Sequence, residues 1–294
     1  MTSERPLASA QTMPWPKLAW FGVLLIVCYA PVLRLLVSQW YGDADMGHGF
    51  FVPIVAGWIV WRRRDELLAL RPQPNYWGLL VVFWGMLQML LGSLGAELFL
   101  ARTAFIISIV GAVLFLGGTK MLRLLAFPLF LLLFMIPIPA IIYSQITLRF
   151  QIMASTIAST ALNAIGVPVL QMGNVLELAN GMQLNVAEAC SGIRSLLSLS
   201  FLSLVYAYLF DRKVWMRAVL LIAALPIAIA ANAMRVTLTG IIASVKPEYA
   251  EGALHMFEGW VLFVVALLLL VGFHRLVNSI YDRLASRRKE LQHA

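Results

Sequence analysis

Residues 257–273 read FEGWVLFVVALLLLVGF, and Glu258 is the only charged residue among them. A helix that crosses a bilayer needs about 20 mainly apolar residues, so this segment is typical of a membrane span. The whole chain has the same character: 61% of its 294 residues are hydrophobic, 12% are charged, and the mean hydropathy is +0.86. Soluble domains contain roughly 45–50% apolar and about 25% charged residues. The composition therefore excludes a soluble globular enzyme and a disordered chain, and it predicts a multi-pass membrane protein.

Similar apolar segments recur along the chain and predict an all-α polytopic membrane protein with about eight transmembrane helices. An even number of spans places both termini on one side of the membrane. The segments lie near 18–36, 48–61, 77–94, 103–119, 124–142, 193–210, 218–234 and 257–273.

The basic residues indicate which side that is. Sixteen of the 22 Lys and Arg residues fall on the side of the termini when the loops alternate across the membrane. Lys and Arg accumulate in cytoplasmic loops, so both termini are predicted to be cytoplasmic. We expect a cytoplasmic tail at 1–17, a transmembrane domain at 18–273 and a basic cytoplasmic tail at 274–294. The net charge of +8 thus reflects topology and not nucleic-acid binding.

The long outer connection, about Ile142 to Gly192, predicts a small extracytoplasmic cap. Its first part has an apolar and a polar helical face, which indicates an amphipathic helix at the interface or along a polar cavity. Residues 175–178 and 183–186 alternate around Asn180-Gly181, which is a hairpin signal. The apolar face of the helix comprises Ile146, Phe150, Met153 and Ile157, and the polar face comprises Thr147, Gln151, Ser155 and Ser159.

Three residues that can carry chemistry lie at the outer ends of the last three predicted spans. Cys190 precedes the sixth span, where a helix N-terminus favours the thiolate, although a free cysteine is often only a packing residue. Arg235 ends the seventh span and is either functional or a side chain that reaches for lipid headgroups. His255 precedes the eighth span, where capping is the alternative role. Together they are the set that covalent acyl transfer needs: a nucleophile, a general acid/base and a cation for the oxyanion.

The sequence resembles the exosortase and archaeosortase family across residues 14–275, with short motifs that occur in the order expected for that family. The resemblance rests on Ala189-Cys190-Ser191-Gly192 with Ile193-Arg194, Asn232-Ala233-Met234-Arg235, His255 before a final helix, Gly47-His48-Gly49-Phe50-Phe51-Val52-Pro53, Trp61-Arg62-Arg63-Arg64, Phe127-Pro128-Leu129 and Ile136-Pro137-Ile138-Pro139.

The resemblance implies a membrane-embedded cysteine protease or transpeptidase of the Gram-negative inner membrane, often linked to exopolysaccharide production, with its active site facing the periplasm. Its substrates would be secreted proteins with a Pro-Glu-Pro type motif, a C-terminal hydrophobic helix and a basic tail. Cys190 would be the nucleophile, His255 the general acid/base, and Arg235 would stabilise the transition state. Membrane lipid and an unidentified acceptor amine are the other expected partners; no cofactor, metal or nucleic acid is implied.

Supporting roles are predicted for four further residues. Arg194 lies one helical turn after Cys190 and could stabilise its thiolate. Glu188 could orient a partner or cap the helix, and Asn232 could orient Arg235 or bond to the local backbone. His48 is expected to shape the substrate entrance. A zinc site formed by His48, Asp43 and Asp45 is a weaker alternative, because three ligands on one short loop match known zinc sites poorly.

Two other functions remain open from the sequence alone. A small transporter or polysaccharide-assembly protein would place polar residues at helix midplanes, often in two related halves. A non-catalytic scaffold would bury Cys190 as an inert packing residue. The substitution Cys190→Ala separates the enzyme from both alternatives.

Overall fold

The computed structural model describes residues 15–186, 192–211, 213–246 and 253–293, with the backbone alone at 15, 17, 18, 192, 253–256 and 287–293. It is 84% helical and contains one small three-stranded sheet. The chain divides into two compact units, Met1–Pro139 and Ala140–Ala294. The predicted helical membrane protein with a small β element is therefore confirmed.

Helices build the first unit. The helices are α1 (Trp15–Cys28), α2 (Ala30–Gly42), α3 (Phe51–Arg62), α4 (Arg64–Ala69), α5 (Trp77–Leu94) and α6 (Leu98–Leu131). A short 3-10 helix, Ala44–Phe50, precedes α3, and another, Leu132–Met135, follows α6.

A fully buried tyrosine holds the bend between α1 and α2. The two helices meet at an angle of 73° around Tyr29. Its hydroxyl lies 2.8 Å from Ser108 Oγ and 3.2 Å from the carbonyl oxygens of Gly85 and Ala104. The bend is therefore tied to α5 and α6 by hydrogen bonds, which are directional contacts in an apolar environment.

Small residues allow α5 and α6 to pack closely. A Cβ at Gly92 would lie 2.7 Å from the backbone nitrogen of Ala101, and one at Gly85 would lie 3.1 Å from the carbonyl oxygen of Ala104. Glycines of this kind let helix backbones approach each other in membranes, where apolar side chains gain little by leaving lipid.

The second unit combines four helices with the sheet. Its helices are α7 (Ala140–Ala164), α8 (Gly192–Phe210), α9 (Val214–Val245) and α10 (Ala253–His293), and its strands are β1 (Val169–Met172), β2 (Val175–Leu178) and β3 (Gln183–Asn185). Apolar side chains from α8, α9 and α10 form one core, which includes Leu199, Leu220, Ala228, Ala266 and Leu270. Helix α10 continues without a break through residue 273, where the predicted transmembrane domain ends.

Helix α7 contains the predicted amphipathic segment, and its polar face points inward. Gln151 and Ser155 are buried, whereas Met153 and Ile157 are exposed. The amide oxygen of Gln151 accepts a hydrogen bond of 3.0 Å from Asn174 Nδ2, beside the sheet. The polar face of α7 therefore contacts the sheet of the cap through this hydrogen bond.

The predicted hairpin is confirmed and has a third strand. Strands β2 and β3 pair antiparallel with Leu176 opposite Leu184, and the turn has Gly181 at φ 81°. Strand β1 pairs with β2 through the two-residue connection Gly173-Asn174. Leu176 and Leu184 pack with Val236 of α9, so the sheet lies on the helix that carries Arg235.

The count of eight spans is not confirmed. Within the described ranges, five helices are long and apolar enough to cross a membrane, and the bent pair α1–α2 adds a sixth. The predicted span 48–61 contains an α-helix of only 12 residues, α3, which follows directly on the 3-10 helix Ala44–Phe50. The predicted spans 103–119 and 124–142 fall largely within one helical run, Leu98–Met135, in which Gly118 departs from helical geometry at φ 76° and ψ −172°. The orientation of the termini stays a prediction.

Candidate active site

Three helices of the second unit surround a cavity of about 300 Å³. Helices α8 and α9 contribute cationic and hydroxyl side chains, and α10 contributes a glycine and two aromatic rings. The lining residues are Arg194, Ser195, Ser198, Arg235, Gly259, Trp260 and Phe263. A cavity with a polar wall and an apolar wall is the usual form of a site that binds an organic ligand.

The guanidinium of Arg235 lies against the backbone of α10 at Gly259. A Cβ at Gly259 would be 3.0 Å from Nη2 and 3.1 Å from Cζ of Arg235. Any larger residue at position 259 would therefore displace the guanidinium. One residue before this glycine, Glu258 Oε2 accepts a hydrogen bond of 3.4 Å from Thr239 Oγ1, which lies one turn after Arg235 on α9.

We expect Gly259→Ala to lower by about tenfold any activity that depends on the Arg235 guanidinium, because small displacements of a positioned group have large effects on rate. Gly259→Val should lower that activity further, since its larger side chain pushes the Arg235 guanidinium farther away. Activity assays of the purified variants check this prediction. Gly272→Ala is the matched control on the same helix, because a Cβ there meets no atom within 4 Å. Equal activity of Gly259→Val and the native chain would show that the position of Arg235 does not matter.

A smaller cavity of about 20 Å³ continues inward from the same site, with room for about one water molecule. Arg235 and Gly259 line both cavities, and Asn232 lines the inner one. Asn232 is 5% exposed, and its Nδ2 has no hydrogen-bond partner among the described residues. Its amide is therefore available to a group that enters from the Arg235 side.

Arg194 and two serines form the wall that α8 contributes. Arg194 lies in the first turn of α8 and is exposed, whereas Ser195 and Ser198 are partly buried one turn apart. Two guanidinium groups and two hydroxyl groups thus line one cavity, which makes its described lining electropositive. Such a lining suits a carbonyl oxygen that acquires negative charge.

The structure brings together three of the predicted site residues, Arg235, Arg194 and Asn232. Cys190 and Glu188 lie outside the described residues. His255 lies in the first turn of α10, four residues before Gly259, in the part of that helix where only the backbone is described.

His48 belongs to the first unit. Its Nε2 is 3.1 Å from the carbonyl oxygen of Phe134, and nearby Trp40 Nε1 donates to the carbonyl oxygen of Met135 at 2.9 Å. Asp43 Oδ1 accepts the backbone N–H of Asp45 at 2.9 Å and so caps the 3-10 helix. Across the described parts of the chain, no group of three His, Cys, Asp or Glu residues could hold a metal ion.

Sequence reasoning missed the residues that α10 contributes to the cavity. Gly259 carried a signal, because an isolated glycine in a helical apolar pattern indicates close approach of another group. Trp260 and Phe263 carried none, since aromatic residues are expected throughout a membrane helix. Ser195 and Ser198 are equally ordinary in sequence.

Comparison with known proteins identifies a family that matches most of the chain. The family described as transmembrane exosortase matches residues 40–272, a range that includes Arg194, Asn232, Arg235 and Gly259. No curated protein and no solved structure matches the chain. Because the matched range covers well over half of the 294 residues, the chain belongs to the transmembrane exosortase family.

Proposed function

We propose that the chain is a cysteine peptidase or transpeptidase that cleaves C-terminal sorting signals of secreted proteins at the outer face of the bacterial inner membrane. The observation that carries the proposal is the cavity where Arg194 of α8, Arg235 of α9 and Gly259 of α10 meet. Cys190 is four residues before Arg194 in the sequence, and His255 is four residues before Gly259. A described residue four positions after Cys190 and one four positions after His255 thus line the cavity that Arg235 also lines.

The chemistry follows from the residue types. The Cys190 thiolate attacks the carbonyl carbon of the scissile peptide bond, and the oxyanion that forms is stabilised by the Arg235 guanidinium. The carbon–nitrogen bond then breaks, and His255 gives its proton to the leaving amine. An acceptor amine or water attacks the resulting thioester, His255 takes up the proton of that nucleophile, and the thiolate is released.

The last described residues before Cys190 are held in place by the sheet and α9. Val186 is fully buried, and its backbone N–H donates to the carbonyl oxygen of Asn174 at 3.0 Å. Asn180 Nδ2 donates to the carbonyl oxygen of Ala243 on α9 at 3.1 Å. The segment that contains Cys190 starts from a sheet fixed on α9 and ends in α8, which supports its assignment to the cavity.

The apolar wall of the cavity fits a substrate that is itself held in the membrane. Trp260 is 73% exposed beside the cavity, and Phe263 lies one turn farther along α10. A substrate with a hydrophobic helix and a basic tail would place that tail in the cytoplasm, since the positive-inside rule applies to it as well. The residues before its helix would then lie at the outer face.

The geometry at Gly118 is compatible with the proposed eight crossings. The run Leu98–Met135 has 38 residues, which at 1.5 Å each is about twice the ~30 Å of the hydrocarbon core. Gly118 divides this run into segments of 20 and 17 residues, each long enough for one crossing. We propose that the run crosses the membrane twice and that α3, with the 3-10 helix before it, crosses once, which gives eight crossings and two cytoplasmic termini.

The orientation of the site can be tested by thiol labelling. In a Cys28→Ser variant, where Cys190 is the only thiol, we expect a membrane-impermeant maleimide to label intact spheroplasts, because the proposed site faces the periplasm. A variant with Cys28→Ser, Cys190→Ala and Ser286→Cys is the control, and it should be labelled only after permeabilisation. Labelling of Cys190 only after permeabilisation would contradict the proposed orientation.

A further inference from the structure

A second polar cluster lies at the opposite end of α8, α9 and α10 from the cavity. Asp211 and Lys213 lie on the short connection between α8 and α9, and His274 and Asn278 lie one turn apart on α10. Asp211 Oδ2 is 2.9 Å from His274 Nε2 and accepts a hydrogen bond of 2.9 Å from Asn278 Nδ2. Lys213 Nζ donates to Asn278 Oδ1 at 2.8 Å. We call these four residues the connection clasp.

Further contacts link the clasp to α8 and extend it along α10. The hydroxyl of Tyr206 on α8 is 3.0 Å from His274 Nδ1. Lys213 Nζ lies 4.1 Å from the ring centre of Tyr281 and 3.7 Å from Asp282 Oδ1, both on α10. The residues of α10 that contact the connection are His274, Asn278, Tyr281 and Asp282. Their spacings of three, four and eight positions place them on one face of the helix.

The core of the clasp is buried and fully bonded. The Asp211 and His274 side chains are 5% and 7% exposed. Burial raises the pKa of Asp211, but the hydrogen bonds from Asn278, His274 and the Lys213 backbone outweigh burial and lower the pKa to about 2. Asp211 is therefore an ionised acceptor at physiological pH, and His274 Nε2 donates to it.

Elsewhere α10 packs on its neighbours through apolar side chains such as Phe263, Ala266 and Leu270. Lipid tails are as apolar as these side chains, so such contacts discriminate weakly between nearby positions of a membrane helix. Hydrogen bonds weaken steeply when donor and acceptor move apart or out of line. Besides the 3.4 Å hydrogen bond from Thr239 to Glu258, the directional contacts that can define the depth and rotation of α10 are those at Asp211 and Lys213.

We propose that the connection clasp positions α10 for the cavity at its far end, so that its four members are positioning residues of the site. Gly259 precedes His274 by fifteen residues, about 23 Å along the helix. Because α10 is one continuous helix, a shift at the clasp moves Gly259 and His255 relative to α8 and α9. The effect on catalysis rests on the proposed function, whereas the effect on helix position does not.

Asn278→Leu tests the proposal because it removes the contacts of the Asn278 amide with Asp211, Lys213 and His274 and leaves Asp211 bonded to His274 and to the Lys213 backbone. We expect kcat for a tailed substrate to fall by about ten- to a hundredfold. Ser279→Leu is the matched control: Ser279 is the next residue, and it is exposed. Its kcat should equal that of the native chain. Unchanged kcat in folded Asn278→Leu protein would overturn the proposal.

A cross-linking measurement separates positioning from simple loss of stability and needs no activity. Ser198 of α8 and Phe263 of α10 line the same cavity. We place cysteines at both positions in a chain with Cys28→Ser and Cys190→Ala. The rate at which a short bifunctional thiol reagent cross-links them reports on the alignment of the two helices. Asn278→Leu should slow this reaction several-fold in protein that stays folded, and Ser279→Leu should not. An equal rate in both variants would overturn the proposal even if the cysteine chemistry were correct.

Discussion

Cys190→Ala should abolish cleavage of a secreted protein that ends in a hydrophobic helix and a basic tail. The expected loss is at least about a thousandfold, because removing the nucleophile of a covalent mechanism leaves only binding and charge stabilisation. Cys190→Ser should be nearly as inactive, since a hydroxyl is a much weaker nucleophile than a thiolate. Immunoblots of the processed and unprocessed substrate in cells, normalised to the level of the variant, measure the effect.

Cys28 provides the control for that experiment. The chain has two cysteines, and Cys28 is an exposed free thiol at the end of α1. Cys28→Ala should process the substrate at the native rate. If Cys190→Ala does so too, the chain is not a cysteine peptidase, and the transporter and scaffold functions become the better explanations.

Arg235→Ala should lower kcat by roughly 10²–10³-fold, the usual effect of removing one oxyanion donor, while the protein stays folded. The guanidinium lines both cavities and fits closely against Gly259. Arg235→Lys should recover only part of the rate, because an ammonium group lacks the planar pair of donors. Initial rates with a purified tailed substrate measure both variants.

Arg149→Ala is the matched control for Arg235→Ala. Arg149 is an exposed arginine on α7 of the same unit, away from the described lining of the cavity. Its removal should leave kcat unchanged. This result would show that loss of a positive charge alone does not explain the lower kcat of Arg235→Ala. A raised KM with native kcat in Arg235→Ala would instead assign Arg235 to substrate binding and contradict its role at the oxyanion.

Local signals in the sequence predicted much of the cap. The Asn180-Gly181 pair gave the β2–β3 hairpin because its backbone geometry is encoded by two adjacent residues. Strand β1 was missed although Gly173-Asn174 is also a hairpin connection, and Gly173 has φ 64°. The inward polar face of α7 could not be assigned, since the sequence alone does not indicate that Asn174 bonds Gln151.

Contacts between distant residues account for most of what the sequence did not predict. The clasp joins Asp211 to His274 and Asn278, more than sixty positions away, and none of these residues belongs to a recognisable motif. The count of eight spans is unconfirmed for a different reason. Composition identifies apolar segments, but it does not show that α3 has only 12 residues or that Leu98–Met135 forms one helical run with a departure at Gly118.

The sequence analysis put Arg194 and Arg235 at one depth because each lies at the end of a predicted apolar segment. The structure places both at one cavity, although α9 continues for ten residues beyond Arg235. The sequence alone could not predict the fit of Arg235 against Gly259, since that fit depends on the rotation of α10 about its axis.

The central claim is that cleavage passes through a thioester on Cys190. The most direct measurement is mass spectrometry of the full-length protein and its substrate after reaction in the presence of hydroxylamine, which intercepts thioesters. We predict a substrate fragment that ends in a hydroxamate, an acid-quenched adduct of that fragment on the peptide containing Cys190, and neither species in Cys190→Ala. A cleaved fragment that carries only a free carboxylate at saturating hydroxylamine, with Cys190 unmodified throughout the reaction, would contradict the claim.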